Sequence, residues 1–205
     1  IEVAFLPKLT GVDIRISSNS KNSNTSFMNK IKPIINKYYY GDLDIELEDV
    51  VAKLLLSSNM TISTAESCTG GLISDRLTNV SGSSKYFNGG VVAYSNEIKS
   101  SALNVKKDII NSHGAVSDEV AMEMARGVKE KFSSDIGIST TGIAGPSGGT
   151  KSKPVGLVYI GIFTDEFEKT YKFSFTPYRK ANKLMTTQAA LNIIRLFLLK
   201  GLRDT

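Results

Sequence analysis

Residues 64–72, TAESCTGGL, place Glu66, Ser67, Cys68, Thr69 and two glycines in succession. Ser67 and Cys68 are both nucleophile types, and either needs a base to take its proton. The one histidine of the chain, His113, stands in a loop-like NSHGA, so neither a Ser-His-Asp triad nor a Cys-His dyad is expected. Lysine serves instead when a partly desolvated site lowers its pKa toward neutrality. Lys99 of VVAYSNEIK, five positions after Tyr94, is the candidate. A solvated helix lysine is the competing reading, and spacing does not choose between them. Cys68 has its own alternative as a small buried hydrophobe.

Two further polar stretches could bind a ligand. Gly70 and Gly71 open a helix-like segment, where free backbone N–H groups and the helix dipole make an anion or oxyanion site. They could equally form a tight strand-to-helix turn. The GxxxxGK[ST] and GxGxxG phosphate patterns are both missing from this segment. TTGIAGPSGGTKSKP, residues 140–154, is too long for a minimal turn. Long polar loops are functional or disordered. It either presents backbone N–H groups and the Thr140 or Thr141 hydroxyl to a ligand, or is a floppy connection, with GGTKSK the floppier part.

The elements that must position these residues follow from periodicity. IEVAFLPKLTGVDIRISS alternates around LTG as a hairpin does, with Val12, Ile14 and Ile16 on one face. A polar link, SSNSKNSNTS, leads to a helical pattern in FMNKIKPIINKYYYG that Pro33 should kink or restart. From Asp44 the pattern changes, and Leu47, Val50, Val51, Leu54 and Leu55 draw an amphipathic helix. MTISTAE reads as a strand, LISDRLTNV as a helix, VVAYS at 91–95 as a strand and NEIKSSALN as a short helix. VSDEVAMEMARGVKEKF is a helix capped by Ser117. IGISTTGI, PVGLVYIGIFT and EKTYKFSFT are strands, the last two a hairpin across Asp165 and Glu166. A final helix spans about Arg179 to Leu199, its apolar face set by Leu184, Ala189, Leu191, Ile194 and Leu198. Interleaved helices and strands predict a three-layer α/β/α sandwich with a mixed sheet, plus a small N-terminal β-hairpin and helix appendage over residues 1–42. In such sheets the working loops lie at the carboxyl ends of strands, where ESCTGG, YSNEIK and TTGIAGPSGG all fall.

With 205 residues, 41% of them hydrophobic, the chain can bury one good core. Its net charge of +5 suits anionic partners such as phosphates, but the basic residues form no block, and no nucleic-acid partner is predicted. The polar link also shows no GxxG loop of the kind RNA-binding KH modules use. The single cysteine fits a reducing, cytoplasmic compartment, and no Cys/His cluster has metal-ligand spacing. No apolar run approaches the roughly 20 residues of a membrane span. The opening IEVAFLP lacks methionine and reads as strand interior, so a fragment of a longer or processed protein is expected.

Four motifs in order, TAESCTGGL, VSGSSKYFNGGVVAYSNEIK, HGAVSDEVAMEMARG and TGIAGPSGGTKSKPVGLVYIG, resemble the C-terminal domain of the CinA (competence/damage-inducible protein A) family. That domain is similar to stand-alone nicotinamide-nucleotide amidohydrolases. The resemblance covers roughly residues 44–200, and it divides the chain into a linking region, residues 1–42, and the amidohydrolase domain, residues 43–205. It implies that the family's large N-terminal domain, linked to metal-dependent ADP-ribose pyrophosphatase activity, lies outside this chain. It also implies hydrolysis of the carboxamide of nicotinamide mononucleotide to nicotinic acid mononucleotide and ammonia, in nucleotide salvage, without a cofactor or metal, by a homodimer. Carried over by motif, Ser67 is the nucleophile and Lys99 its base, with Tyr94 relaying or orienting. Ser84, Thr141, Gly142, Gly145 and the backbone of Thr69, Gly70 and Gly71 would hold the carboxamide and oxyanion. Arg179, with Lys180 as a neighbouring rival, would take the 5′-phosphate. The rival from another class is a catalytically silent interaction domain tied to DNA uptake or repair.

Overall fold

The computed structural model describes residues 1–42 and 45–201. They fall into two compact units divided between Glu46 and Leu47. The boundary expected between 42 and 43 abuts Leu43 and Asp44, which lie outside the described residues, as do the last four residues assigned to the larger domain.

In the first unit, β1 (Glu2–Lys8) and β2 (Gly11–Ser17) pair antiparallel, with Phe5 opposite Ile14 and Val3 opposite Ile16. Ile14 and Ile16 are half-buried, whereas Val12 stays exposed. Helix α1 (Lys21–Ile35) begins inside the Asn/Ser-rich stretch expected to be a link. Ser20 holds extended geometry at its N-cap, and the half-buried stripe of Asn24, Phe27, Met28, Ile31 and Ile35 carries the helical period back through the polar run. Pro33 lies two residues from the helix end, and the helix passes through it without restarting.

The second unit is built on a five-stranded sheet of order β4-β3-β5-β6-β7. Strands β3 (Ile62–Glu66), β4 (Phe87–Val92) and β5 (Ile136–Gly142) are parallel, while β6 (Leu157–Phe163) and β7 (Glu168–Ser174) run antiparallel along the other edge. Helices α2 (Leu47–Ser58), α3 (Leu72–Asn79) and α7 (Arg179–Gly201) pack together on one face. On the other face α6 (Asp118–Phe132) crosses the sheet, with α4 (Asn96–Leu103) and α5 (Lys107–His113) against it. The result is the three-layer mixed-sheet sandwich that the patterning predicts. Helix α5 was not foreseen, and it carries His113 at its last position instead of in a loop.

Ala65, Ala93, Leu103, Val105, Ile110, Val120, Met124 and Val128 form one buried cluster, to which α6 contributes its apolar stripe. Across the sheet, Val51 and Leu55 of α2, Ile73 and Leu77 of α3 and Leu191 and Ile194 of α7 are fully buried. Truncating any of these leucines to alanine costs about 2–5 kcal/mol. Arg76 ties the three helices, donating to Glu48 at 3.0 Å and to Gln188 at 2.7 Å.

Two elements differ from expectation in ways that bear on the site. Strand β4 occupies 87–92, not 91–95. It runs through FNGG because Gly90 pairs with Thr64, and a Cβ there would lie 2.2 Å from the Thr64 hydroxyl. Tyr94 and Ser95 therefore belong to the loop beyond the strand. In α7, Leu191, Ile194 and Leu198 are buried as the period predicts, but Leu184 is exposed, and Asn182, Thr186 and Thr187 are buried in the first turns. Thr186 donates to the Asn182 carbonyl at 2.8 Å and Thr187 to the Lys183 carbonyl at 2.9 Å. Hydroxyls satisfied by their own helix are buried at little cost, which a search for apolar stripes misses.

Candidate active site

Parallel β3, β4 and β5 end at one edge of the sheet, and the loops leaving them meet there. All five residues of β3 are buried, and the strand delivers Ser67 to that edge. The Ser67 N–H donates to the Thr140 carbonyl of β5 at 2.9 Å, which fixes the backbone under the hydroxyl. Beside it, Thr69 and Thr140 join hydroxyls at 2.7 Å, both fully buried.

Glu66 immediately precedes the serine, yet its carboxylate faces the helix. It accepts from the N–H groups of Gly71 at 2.9 Å, Ile73 at 3.1 Å and Ser74 at 2.8 Å, and from the Ser74 hydroxyl at 2.7 Å. A carboxylate on the orphan donors of a helix N-terminus is favoured by both hydrogen bonding and the dipole. Each buried donor left unsatisfied would cost about 1–3 kcal/mol, so this carboxylate stays with α3 and is no base for Ser67. The same bonds correct the expectation for Gly71, whose N–H is spent on Glu66. Among the described residues no hydrogen bond engages the N–H of Thr69 or Gly70.

Lys99 enters from α4, whose N-cap Ser95 accepts from the Ile98 N–H. At 2% exposure it is among the largest fully buried side chains. Its Nζ lies 3.2 Å from Ser67 Oγ, 2.9 Å from the Ala93 carbonyl and 3.4 Å from the Tyr94 carbonyl. Desolvation lowers its pKa below the ordinary lysine value, against weaker opposition from Cys68 and Glu97. In the neutral amine two N–H groups match the two carbonyls, and the lone pair is left for the Ser67 hydroxyl proton. The solvated-lysine reading does not hold.

Ser67 and Lys99 line a cavity of about 230 Å³. Its other walls include Tyr94 from the β4–α4 loop, Asn96 at the start of α4, Ala115 and Val116 from the α5–α6 turn, Thr141 and Gly142 at the end of β5, and Ala144 just beyond it. Arg179, at the first turn of α7, also lines it, whereas Lys180 does not. Arg179 donates through Nη1 to the Gly145 carbonyl at 3.1 Å and through Nη2 to the Tyr94 hydroxyl at 2.6 Å. Gly145 thus orients the guanidinium without lining the cavity.

Three expected roles need correction. Ser84 is exposed in a 3-10 turn before β4, at the amino ends of the parallel strands, so within this chain it stands at the opposite end of the sheet from Ser67. The Tyr94 hydroxyl meets Arg179, and only its backbone carbonyl touches Lys99, so a relay through the phenol is not set up here. The Thr141 hydroxyl donates to the Ala115 carbonyl at 2.6 Å, which commits its proton to the cavity wall.

Patterning singles out Glu66 but gives it no role, and it does not mark Asn96, Ala115, Val116 or Ala144. A carboxylate at a strand end followed by Gly-Gly and a helix was a readable capping signal for Glu66. Asn96, next to the N-cap serine, could have been read from the polarity of YSNEIK. The alanines and the valine carried no signal, because their place depends on a turn between distant elements.

Cys68 lines the cavity too, but it is buried, and desolvation pushes its thiol up to about 12. At neutral pH it is protonated and a poor nucleophile. Cys68→Ala is expected to keep turnover within about threefold of the parent, the loss being one small buried group. A kcat assay that showed a thousandfold fall would move the nucleophile to the thiol.

The family model for "CinA C-terminal domain" matches residues 44–198. A CinA-like protein of Chloroherpeton thalassium is 48% identical over 205 residues, covering 94% of this chain and 48% of that protein. The chain thus spans about half the length of the curated relatives it matches. Among solved structures, a competence/damage inducible protein of Agrobacterium tumefaciens superposes with a TM-score of 0.70 at 32% identity, over 77% of this chain and 99% of that one. A CinA superfamily protein of Klebsiella pneumoniae gives 0.73 at 30% identity, over 75% and 96%.

Proposed function

The chain belongs to the CinA C-terminal domain family, and from that premise we propose that it hydrolyses the carboxamide of nicotinamide mononucleotide to nicotinic acid mononucleotide and ammonia. The observation that carries the reading is the buried Lys99 amine 3.2 Å from the Ser67 hydroxyl at the wall of a cavity whose lining includes a guanidinium. A nucleophile, a desolvated base and a phosphate-sized cation are what a phosphorylated amide requires.

In the proposed sequence neutral Lys99 takes the Ser67 proton as Oγ attacks the amide carbon. The tetrahedral intermediate places negative charge on the former carbonyl oxygen, which we assign to the N–H groups of Thr69 and Gly70. Lysine ammonium returns its proton to the departing nitrogen, and ammonia leaves an acyl ester on Ser67. Lys99 then takes a proton from water as its oxygen attacks the ester carbon, and returns it to Oγ as the C–Oγ bond breaks, which frees the acid and restores Ser67. Tyr94 orients Arg179, and Gly142 shapes the wall beside Thr141. Residues 1–42 are read as the linking region of a longer CinA protein, 43–205 as the amidase domain, and the functional unit as a cytoplasmic homodimer. No described helix is long and apolar enough to cross a membrane.

The test is ammonia release from nicotinamide mononucleotide by purified chain with chelator present. Release supports the reading. None from folded protein would overturn it in favour of an interaction domain.

Arg179 is assigned to the 5′-phosphate. Arg179→Ala is expected to raise KM for the mononucleotide about 10- to 100-fold, the worth of a charge-assisted contact, and to leave the unphosphorylated riboside nearly unchanged. Equal losses on both substrates would remove the phosphate role.

A further inference from the structure

The GGTKSK part of the long loop, read from sequence as its floppier half, carries a built contact. Thr150 N–H donates to the Lys153 carbonyl at 2.8 Å, and Lys153 N–H donates to the Thr150 hydroxyl at 3.0 Å. This closed turn points the Lys153 side chain back at the α5–α6 connection. Its ammonium donates to the His113 carbonyl at 2.5 Å and the Val116 carbonyl at 2.7 Å, and among the described residues it enters no ion pair. Gly114 has φ +76, a backbone conformation that favours glycine, and a Cβ on it would come 2.9 Å from that nitrogen.

The two carbonyls between are held as well. Gly114 accepts from the Ser117 hydroxyl at 3.0 Å and Ala115 from the Thr141 hydroxyl at 2.6 Å. Four consecutive carbonyls, 113 to 116, are therefore each fixed by a side chain. Ala115 and Val116 line the cavity with Ser67 and Lys99, and the loop bearing Lys153 leaves β5 through Gly142 and Ala144, which line it too. Lys153 thus joins two walls of one cavity.

We propose that Lys153 is a positioning residue that clamps the 113–116 turn as the wall against which the substrate ring is held. The inference rests on the amidase reading for the ring, and on hydrogen bonds alone for the clamp. A misplacement of about 1 Å costs on the order of a hundredfold in rate, so a loosened wall acts on kcat and not merely on stability.

The experiment compares Lys153→Met, which keeps the stem, and Lys153→Arg, which keeps two donors, with the parent chain. Lys153→Met should lower kcat about 10- to 100-fold by the same factor on mononucleotide and riboside, with KM little changed, because the ring is common to both. Lys153→Arg should recover part of that loss. Amide hydrogen exchange at residues 114–117 should quicken in Lys153→Met while the interior of α6 keeps the parent's protection. An active parent with Lys153→Met equal to it in kcat overturns the proposal. If the parent releases no ammonia the amidase reading fails instead, and exchange decides the clamp: faster exchange confined to 114–117 supports it, and unchanged exchange overturns it.

Discussion

Lys99→Met is expected to lower turnover by about a thousandfold or more while raising the melting temperature, two effects of opposite sign from one substitution. Lys99 is buried, and desolvation holds its pKa below the ordinary 10.5. The unfolded chain keeps the ordinary value, so between the two pKa values the unfolded state binds the proton and the folded state does not. Stability therefore rises with pH through that window, and below it the folded protein bears the cost of a buried ammonium. Methionine matches the stem, removes the charge and removes that cost at neutral pH. It also removes the base. The parent's kcat should rise with pH as Lys99 becomes neutral, on an ionisation below 10.5. Thermal melts at neutral and alkaline pH check the first half, and a pH–rate profile the second. A variant that melts lower than the parent would mean the ammonium is well solvated in the fold. One that retained near-normal turnover would remove Lys99 as the base.

What the sequence makes legible here divides along a physical line. Strand and helix periods follow from where side chains must point, so the succession of strands and helices, α5 apart, and the gathering of Ser67, Lys99 and Thr141 near the carboxyl ends of the strands could be read from residue types alone. Which donor meets which acceptor could not. The position of the Gly71 N–H suits an oxyanion, yet Glu66 holds it, and Tyr94 stands near Lys99 in sequence while its hydroxyl meets Arg179, 85 positions away. Ser84 shows the same limit at larger scale. Its motif directly precedes β4, but a parallel strand carries its two ends to opposite edges of the sheet. Polar helix starts fail for another reason. In α1 and α7, Asn, Ser and Thr satisfy their hydrogen bonds locally or lie beside a partly buried stripe, so composition reads as a link, or as the wrong face, where the backbone is helical.

Ser67→Ala is expected to reduce ammonia release by about a thousandfold or more, with folding intact. The serine is 8% exposed, and its backbone N–H, not its hydroxyl, is what ties it to β5. Removing Oγ leaves the Thr140 contact in place, while Lys99 keeps its two carbonyl partners, so the loss should fall on kcat with little change in melting temperature. The mechanism further requires an ester on Oγ between the departure of ammonia and the entry of water. Acid quenching of the parent during turnover should therefore trap a chain heavier by the acyl group, mapped by peptide mass to residues 64–72, and no such species should form on Ser67→Ala. Added hydroxylamine should divert the ester to a hydroxamate in the parent alone. Turnover of Ser67→Ala within tenfold of the parent would mean that water attacks the amide directly, with Lys99 acting on water from the start. An adduct that persisted on Ser67→Ala would place the nucleophile elsewhere in the cavity. Loss of both adduct and turnover would leave Ser67 as the residue of TAESCTGGL that does the chemistry, with Glu66 holding the start of the helix that follows.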